Sequence, residues 1–548
     1  MSLNRRLPKV RQDQFAMVPR ADVPRSRFST RHTYKTTFDV DRLVPFFVDE
    51  CLPGDDFRGK VTAFVRMATP LFPVMDNLTA EMFFFFTPCR LVWENWTKFM
   101  GERVTPTANI SAYTVPQVAC QGVDATGFDP LTPGDYFGLP VTGQLSSPKT
   151  VNALPFRCLN LIWNEWFRPQ DLMGLYPAGG TPTDDGPDAA GVINNPLWRA
   201  KRHDYFTSAL PWPVKANDVP TIPLGARAPV YGIGAISPAA VLTGGPYRET
   251  DGSALGSHGT GIVGYNAHLT NTVALWARAE GGNNVPDVYA DLSEATGATL
   301  NAIRLAVATQ QLLERDARGG SRYTELLRNH FGVMPEDARL QRPEYIGGGK
   351  FFLQTQAIPQ TSASEVGGTP LGELGAATLG SGPGSFSYTC REHGYIIGII
   401  NITGDITYQQ GVHRMFTRLT RYDFYWPTFA FLGEQAIRND ELYADGSVND
   451  TATFGYQERW AEYRYRPGRI TGLFRSNVAG SIDQWHLAED FASLPALNAT
   501  FIQQATPLGR VLAADDLATG MQFLLDSVFE ISCTRALPFR SVPGLTRF

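Results

Sequence analysis

A glycine-rich segment is one place in this sequence where the residue spacing could support chemistry. Gly259-Thr-Gly-Ile-Val-Gly264 matches the glycine pattern of dinucleotide-binding loops. That chemistry needs a buried strand before the glycines and a helix after them, whose N-terminus receives the pyrophosphate. The preceding residues, Gly245–His258, are instead polar and rich in turn formers. The pattern therefore favours a surface loop, and we expect no cofactor.

Carboxylates beside aromatic residues are a second candidate for chemistry. Glu165 lies between two tryptophans, and Glu458 and Glu462 flank Trp460. Such neighbours occur in clefts that bind or hydrolyse sugars, but no spacing here singles out an acid and a nucleophile. The pattern favours packed aromatic residues with exposed or paired carboxylates. A carbohydrate-active enzyme and a carbohydrate-binding protein, each on a β-sandwich, remain as alternative classes.

Histidines and cysteines are the remaining residue types that could form a metal site or a reactive group. The eight histidines are scattered, with no HxxxH pair, and we expect no metal site. The cysteines form no CxxC pair, so neither a zinc site nor a disulfide framework is expected: they are Cys51, Cys89, Cys120, Cys158, Cys390 and Cys533. Serine-hydrolase, Walker A and kinase signatures are also missing from the sequence. The sequence therefore predicts a protein that is not an enzyme.

The basic residues are concentrated before residue 36. Residues 1–35 contain nine basic and two acidic residues, a net charge of +7, whereas the whole chain carries −5 and the rest therefore −12. A basic segment with few apolar residues does not fold alone, and it suits phosphate contacts that need no base recognition. Two interpretations stay open and can hold together: a nucleic-acid contact through Arg5, Arg6, Lys9 and Arg11, or a solvated tail or strap over a neighbouring subunit.

Length and composition favour one large β-rich domain. The 52 Gly and 39 Pro residues accompany 34 Phe, 20 Tyr and 10 Trp, a mixture typical of loop-rich β-proteins with large protein contacts. A chain of 548 residues could form several domains, but no linker separates them. We expect an arm at residues 1–35 and one domain at 36–548. No apolar run approaches ~20 residues, so we expect no membrane insertion and maturation in a reducing cytoplasm.

Four stretches have the periodicity and composition of strands. Val61–Met67 alternates apolar and mixed residues, and Leu78–Phe86 contains four consecutive phenylalanines, which predicts a strand covered on both faces. His393–Ile406 and Gln522–Cys533 are rich in β-branched and large apolar residues. Because these strands lie far apart in the sequence, they favour a Greek-key or jelly-roll sandwich with large insertions.

Helices and long connections fill the space between the strands. The sequence predicts helices at Leu154–Arg168, Ser293–Arg318 and Arg322–His330, the second capped by Ser293 and followed by a glycine pair. Residues 228–287 are rich in Gly, Thr, Asn and Ser and predict a surface excursion. Residues 347–384 have a similar composition and predict a long glycine-rich loop.

Several segments of the sequence are distinctive. The most distinctive is Lys201-Arg-His-Asp-Tyr-Phe-Thr-Ser-Ala-Leu-Pro-Trp-Pro213. Further segments of the same kind are Leu312–Gly320, Arg322–Glu325, Arg339–Tyr345, Thr407–Gly411, Arg421–Pro427, Phe454–Arg459, Trp485–Phe491 and Ser541–Leu545. Together they resemble the major capsid protein of the Microviridae, in particular its gokushovirus-like branch. The resemblance spans most of the chain and is weakest in the two glycine-rich stretches.

This resemblance implies a mainly β fold, an eight-stranded viral jelly roll with long loop and helical insertions. It implies about sixty copies in an icosahedral shell around a circular single-stranded DNA genome, with the 228–287 excursion protruding near a three-fold axis. The implied partners are an internal scaffolding protein, a pilot protein, a small basic DNA-binding protein and a host surface receptor. The implied location is the virion, assembled in the cytoplasm of a bacterial host. Structural motif residues are Lys201, Arg202, His203, Asp204, Tyr205, Phe206 and Trp212.

Overall fold

A computed structural model gives the conformation of most of the chain. It describes residues 24–102, 113–120, 126–189, 197–214, 230–231, 289–290, 300–320, 322–359, 361, 374–513 and 519–540. The chain divides into two units, one formed by residues 1–213 and 317–548 and the other by residues 214–316. The first unit contains the large sheet described next.

Eight strands of ten to sixteen residues dominate the described chain. The strands are β1 (Ser26–Phe38), β2 (Arg42–Cys51), β3 (Asp56–Met67), β4 (Leu78–Pro88), β5 (Gln117–Ala119), β6 (Thr150–Asn152), β7 (Leu197–Trp198), β8 (Val230–Tyr231), β9 (Tyr289–Ala290), β10 (Glu344–Pro359), β11 (Leu374–Thr389), β12 (Gly394–Gly404), β13 (Glu434–Arg438), β14 (Thr453–Glu458) and β15 (Phe523–Arg535). All four predicted strand segments lie within β3, β4, β12 and β15, apart from one or two end residues, and these predictions are confirmed.

The eight long strands and the short β7 form one antiparallel sheet in the order β1-β15-β3-β11-β10-β4-β12-β2-β7. The sheet curls into a half-barrel, so strands that are far apart in this order face each other. Phe529 of β15 lies 5.3 Å from Phe46 and 5.2 Å from Phe47 between ring centroids, although β15 and β2 are near opposite ends of the strand order. The fold is therefore the predicted jelly roll, in which the neighbours in the sheet are remote in sequence.

The two faces of the sheet bury different clusters. In β3, Val61, Ala63, Val65 and Met67 point into the main core while Lys60, Thr62 and Arg66 are exposed, as the alternation predicts. In β4, Phe84 and Phe86 belong to this inner core. Phe85 packs on the other face with Cys158 and Trp163. The run of phenylalanines is thus covered on both sides, which confirms the prediction.

The predicted glycine-rich loop at 347–384 is wrong for most of its length. Residues 344–359 and 374–389 form β10 and β11, which pair with each other and with β4 and β3. The glycines permit close backbone contact: a Cβ built on Gly349 would lie 2.4 Å from the carbonyl oxygen of Pro383. Composition alone suggested a loop because glycine usually weakens strands, but here small residues allow the strands to pack.

The boundary of the predicted N-terminal arm also needs correction. Residues 26–38 form β1, which pairs along its whole length with β15. Lys35 lies 2.5 Å from Asp526, so part of the basic charge is matched within the sheet. The basic composition predicts an unfolded arm, whereas an existing sheet edge orders the segment by backbone hydrogen bonds. Residues 1–23, including Arg5, Arg6, Lys9 and Arg11, lie outside the described residues.

Helices are few and mostly short. They are α1 (Trp96–Phe99), α2 (Pro133–Tyr136), α3 (Leu154–Ile162), α4 (Leu300–Gly319), α5 (Tyr323–Phe331), α6 (Asn439–Leu442) and α7 (Ala499–Ile502), and a π-helical turn, Trp163–Phe167, continues α3. The three predicted helices are confirmed, with left-handed residues Gly320 and Gly332 at the exits of α4 and α5. Ser293, the predicted cap, lies outside the described residues.

The second unit contains the whole predicted surface excursion, residues 228–287. Val230–Tyr231 pairs with Tyr289–Ala290, so the two ends of the intervening segment meet in a short ladder. The segment between them, which includes Gly259–Gly264, lies outside the described residues.

The close packing of β10 against β11 leads to a test by substitution. Gly349→Ala should destabilise the protein by about 1–3 kcal/mol, because its Cβ would meet backbone atoms that cannot rotate away. Gly375→Ala on β11 is the matched control, since the nearest atom to its Cβ would lie at 3.4 Å. The free energy of unfolding measured by denaturant titration checks the prediction. Equal stability of the two variants would contradict it.

Candidate functional site

The distinctive segment Lys201–Pro213 forms a compact series of turns. The Asp204 carboxylate accepts hydrogen bonds from the backbone N–H groups of Phe206 (2.8 Å) and Thr207 (2.7 Å). The Thr207 hydroxyl donates to the carbonyl of Arg202 at 2.8 Å and accepts from the N–H of Asp204 at 2.7 Å. Short polar side chains that bond nearby backbone stabilise such turns, so these residue types fix the path of the segment.

Two basic residues of the segment are held by carboxylates. Lys201 and Glu489 are both buried, and their charged groups lie 2.5 Å apart. The Lys201 ammonium also lies 4.4 Å from the centroid of the Phe501 ring. Arg202 contacts Glu81 at 3.1 Å. Burial raises the pKa of Glu489, and the Lys201 ammonium opposes that shift. These two basic side chains are therefore engaged within the fold.

Aromatic residues of the segment bond to further carboxylates. The Tyr205 hydroxyl donates to Glu441 at 3.0 Å, and the Tyr408 hydroxyl donates to Asp204 at 2.7 Å. Phe206 packs edge to face against Tyr408, with ring centroids 5.0 Å apart. Burial, reinforced by the adjacent carboxylates, raises the pKa of both phenols. The hydroxyls therefore remain protonated donors, a structural role rather than a nucleophilic one.

Segments that are remote in sequence meet at this point. Thr407–Gly411 contributes Tyr408, Trp485–Phe491 contributes Glu489, and Phe454–Arg459 contributes Gln457, whose amide donates to the carbonyl of Tyr205 at 3.2 Å. We call the set Lys201, Arg202, Asp204, Tyr205, Phe206, Tyr408, Gln457 and Glu489 the motif cluster. Four of the segments that carry the family resemblance therefore converge in one packing unit.

Two predicted motif residues lie outside this cluster. His203 is exposed, and Trp212 is half-buried. The indole N–H of Trp212 has no hydrogen-bond partner among the described residues. The sequence pattern groups these side chains with their neighbours, but the turns direct them elsewhere.

A cavity of about 510 Å³ adjoins the motif cluster. Tyr205, Phe206, Tyr408, Phe416, Tyr465 and Arg469 are among the residues that line it. Its acidic side chains are matched by arginines, since Arg414 lies 3.1 Å from Glu441 and Arg418 lies 3.0 Å from Glu462. With both carboxylates paired, the cavity offers aromatic walls and a positive rim rather than a free acid and base.

The other predicted reactive groups are engaged or buried. Glu458 is paired with Arg464, and the indole N–H of Trp163 donates to the carbonyl of Trp198 at 2.9 Å. All six cysteines are buried and form no disulfide bond. Among the described residues, no group of three or more His, Cys, Asp and Glu side chains could hold a metal ion. No helix in the described part of the chain is long and apolar enough to cross a membrane.

Sequence reasoning missed Asp41, a fully buried residue between β1 and β2. Its N–H donates to Ile402 at 2.8 Å, its carbonyl accepts from Arg199 at 3.0 Å, and its carboxylate accepts from the Thr506 N–H at 2.6 Å. Burial raises its pKa to about 6, against the opposing hydrogen bond from Thr506. Its left-handed backbone, φ +64°, is one that Asp and Asn tolerate, but the partners lie far away in sequence.

Asp41 predicts a specific dependence of stability on pH. Its pKa in the folded protein, about 6, exceeds the ordinary 3.8, so the folded state binds more protons between these values and stability falls as pH rises through them. Asp41→Asn keeps an oxygen acceptor and tolerates the backbone, and it should be more stable than the unsubstituted protein at pH 7 by up to about 3 kcal/mol. Urea unfolding of both proteins at pH 4 and pH 7 measures this. A difference that does not grow with pH would refute the assignment.

Comparison with known proteins places these features in a family. A family model described as capsid protein (F protein) matches residues 16–545. The chain is 45% identical over 512 residues to capsid protein VP1 of Bdellovibrio phage phiMH2K, covering 91% of this chain and 92% of that one. It is 38% identical over 612 residues to capsid protein VP1 of Chlamydia phage 1, with both chains fully covered, and 33% identical over 551 residues to that of Spiroplasma virus 4, with 98% of each covered. These viruses are Microviridae, and the chain belongs to the F protein family of capsid proteins as a structural major capsid protein.

Proposed function

We propose that about sixty copies of this chain form a closed icosahedral shell around a circular single-stranded DNA genome. The match to the capsid family over residues 16–545 carries the proposal. The jelly roll supports it, because long connections between strands offer contacts to several neighbours at once. The protein would then act in the virion after assembly in the cytoplasm of a bacterial host.

The proposed partners follow from the family resemblance. They are an internal scaffolding protein, a pilot protein, a small basic DNA-binding protein and a receptor on the host surface. We propose no catalytic role, which the paired state of Glu441, Glu458 and Glu462 supports. A carbohydrate-active enzyme, by contrast, needs two free carboxylates at a defined separation.

Particle formation tests this function. The chain should be expressed with and without the scaffolding protein and examined by sedimentation and negative-stain microscopy. We expect uniform closed particles that protect single-stranded DNA from nuclease when the viral genome is present. A chain that stays a small soluble species under every condition would overturn the proposal and favour a carbohydrate-binding class.

The basic arm carries too little positive charge to neutralise a whole genome. Residues 1–25, which precede β1, contain six basic and two acidic residues, a net charge of +4. If the arms face inward, about sixty of them supply ~240 positive charges. A gene for 548 residues alone requires roughly 1,600 nucleotides, each with one phosphate. The arms therefore neutralise only part of a genome, and we propose that a small basic protein or bound cations neutralise the rest.

Replacing Arg5, Arg6, Lys9 and Arg11 by Ala should accordingly weaken packaging only in part, with larger losses at higher salt. The nuclease-protected DNA per particle measures the effect. The matched control replaces four exposed basic residues of the sheet region by Ala: Arg58, Lys60, Arg66 and Arg391. Complete loss of DNA from intact particles, with no second basic component in them, would make the arm the principal genome binder instead.

We propose that the 228–287 excursion protrudes from the outer surface near a three-fold axis and contacts the host. Its composition supports this, because a segment with few large apolar residues builds little core. The ladder of β8 and β9 supports it as well, since the paired ends can close a neck under a projecting segment.

Replacing residues 245–264 by a short Gly/Ser linker should preserve particle yield while changing attachment to host cells by about tenfold or more. Particle yield and adsorption rate measure the two effects separately. The control inserts the same linker between residues 264 and 265 without a deletion. Loss of particles in the deletion variant alone would mean that the excursion is needed within the shell.

A further inference from the structure

Large apolar side chains are unusually exposed in residues 412–432. Phe431 is fully exposed, Leu419 is 90% exposed and Phe416 is 69% exposed. Tyr422, Phe424, Tyr425 and Trp426 are exposed in the same stretch. Soluble monomers rarely present so many neighbouring apolar side chains to water, so this surface indicates a partner that covers it.

A second segment, residues 459–475, completes the same surface. The rings of Tyr425 and Trp460 lie 5.5 Å apart between centroids, and the Trp460 indole N–H donates to the carbonyl of Phe429 at 2.9 Å. Arg418 pairs with Glu462 at 3.0 Å across the two segments. We call residues 412–432 and 459–475 together the aromatic–arginine patch.

Internal hydrogen bonds hold this patch in shape without any covering partner. The Asp423 carboxylate accepts from the backbone N–H groups of Thr420 (2.7 Å) and Leu419 (3.0 Å). The Trp426 indole N–H donates to the carbonyl of Arg421 at 3.1 Å, and the Arg421 guanidinium lies 4.8 Å from the Trp426 ring. A surface already ordered in the free chain loses less conformational entropy on binding.

The composition of the patch is that of a protein–protein contact. The segment Arg421-Tyr-Asp-Phe-Tyr-Trp-Pro427 combines Arg, Tyr and Trp, the residue types that most often dominate binding energy. Exposed aliphatic side chains, Val412, Met415, Leu419 and Leu432, accompany them. Single-stranded DNA stacks on aromatic rings and pairs with arginines, but it has no comparable use for protruding aliphatic groups. The mixture therefore favours a protein partner over nucleic acid.

The charge of the patch indicates which protein surface it meets. The two segments contain eight arginines and two acidic residues, a net charge of +6, so the rest of residues 36–548 carries −18. Arg421, Arg466, Arg469 and Arg475 have no carboxylate within ion-pair distance among the described residues. Two such patches would repel each other, whereas a different surface of another copy is on average acidic.

We propose that the aromatic–arginine patch binds a second copy of this chain, on a surface other than the partner's own patch. The inference rests on the proposed shell function and assigns one of its contacts. A contact between unlike surfaces generates rings around a rotation axis, as a closed shell requires. Phe416, Tyr465 and Arg469 also line the 510 Å³ cavity, so the same contact can insert a side chain of the neighbouring copy there.

Two polar substitutions of the full chain test the proposal. Leu419→Ser and Phe431→Ser remove apolar groups that cover nothing within the chain, so folding measured by circular dichroism and thermal denaturation should be unchanged. Particle yield measured by sedimentation should fall by about tenfold or more, because each lost contact recurs in every copy. The matched control is Val448→Ser, since Val448 is 91% exposed and lies outside the patch.

A charge reversal distinguishes a contact between unlike surfaces from a contact between two identical patches. Arg421→Glu should lower particle yield at low salt and recover part of it at high salt, because salt screens the new repulsion from an acidic surface. A contact between two identical patches would instead be strengthened by this change. Either that result or normal yields for both polar variants would overturn the proposal.

The remaining outcomes also have distinct meanings. Particles that form normally but lack DNA in the patch variants would make the patch a nucleic-acid surface and overturn the assignment. Equal loss in Val448→Ser would overturn the proposal, because the effect would then not be specific to the patch. If the unsubstituted chain forms no particles, the proposed shell function itself fails.

Discussion

The contact between the two ends of the curled sheet is the constraint on which the rest of the fold depends. Phe46 and Phe47 from β2 meet Phe529 from β15, and Phe84 and Phe386 extend this aromatic core, with centroids 4.5 Å apart. Because the curled sheet packs on these rings, its inner face is buried and its outer face can bury a second cluster against α3. The connections between strands are then free to serve other purposes.

The motif cluster and the aromatic–arginine patch show two such uses. In the cluster, Lys201, Tyr205 and Tyr408 are buried, and each contacts a carboxylate. The polar groups of these side chains therefore hold segments together that are remote in sequence. In the patch, backbone-directed bonds such as those of Asp423 order the loop while its rings stay in water. Arg414 of the patch pairs with Glu441, which bonds to Tyr205 of the cluster, and both charged residues line the adjoining cavity.

Local periodicity in the sequence predicted the strands whose two faces differ, and little else about the sheet. Val61–Met67 alternates because one face is buried, and the phenylalanines of β4 require cover on both faces, so both strands could be identified. β10 and β11 were missed because their glycines serve packing between neighbouring strands, and β1 because its basic residues mask a strand that pairs only with β15. The family resemblance identified the segments of the motif cluster, but their convergence depends on contacts that no local pattern encodes. Asp41 is the extreme case, since its partners at 199, 402 and 506 are remote in sequence.

The pairing of the first long strand with the last has a consequence for synthesis on the ribosome. Ser26 is opposite Arg535, so β1 has no partner until nearly the whole chain has emerged. At roughly 5–20 residues per second, translation leaves this edge unpaired for about half a minute to two minutes. During that time several strands expose backbone donors and acceptors together with phenylalanine side chains. Productive folding therefore competes with aggregation of nascent chains. Lower growth temperatures or bound chaperones should raise the yield of native protein more than an increase in the stability of the folded state would.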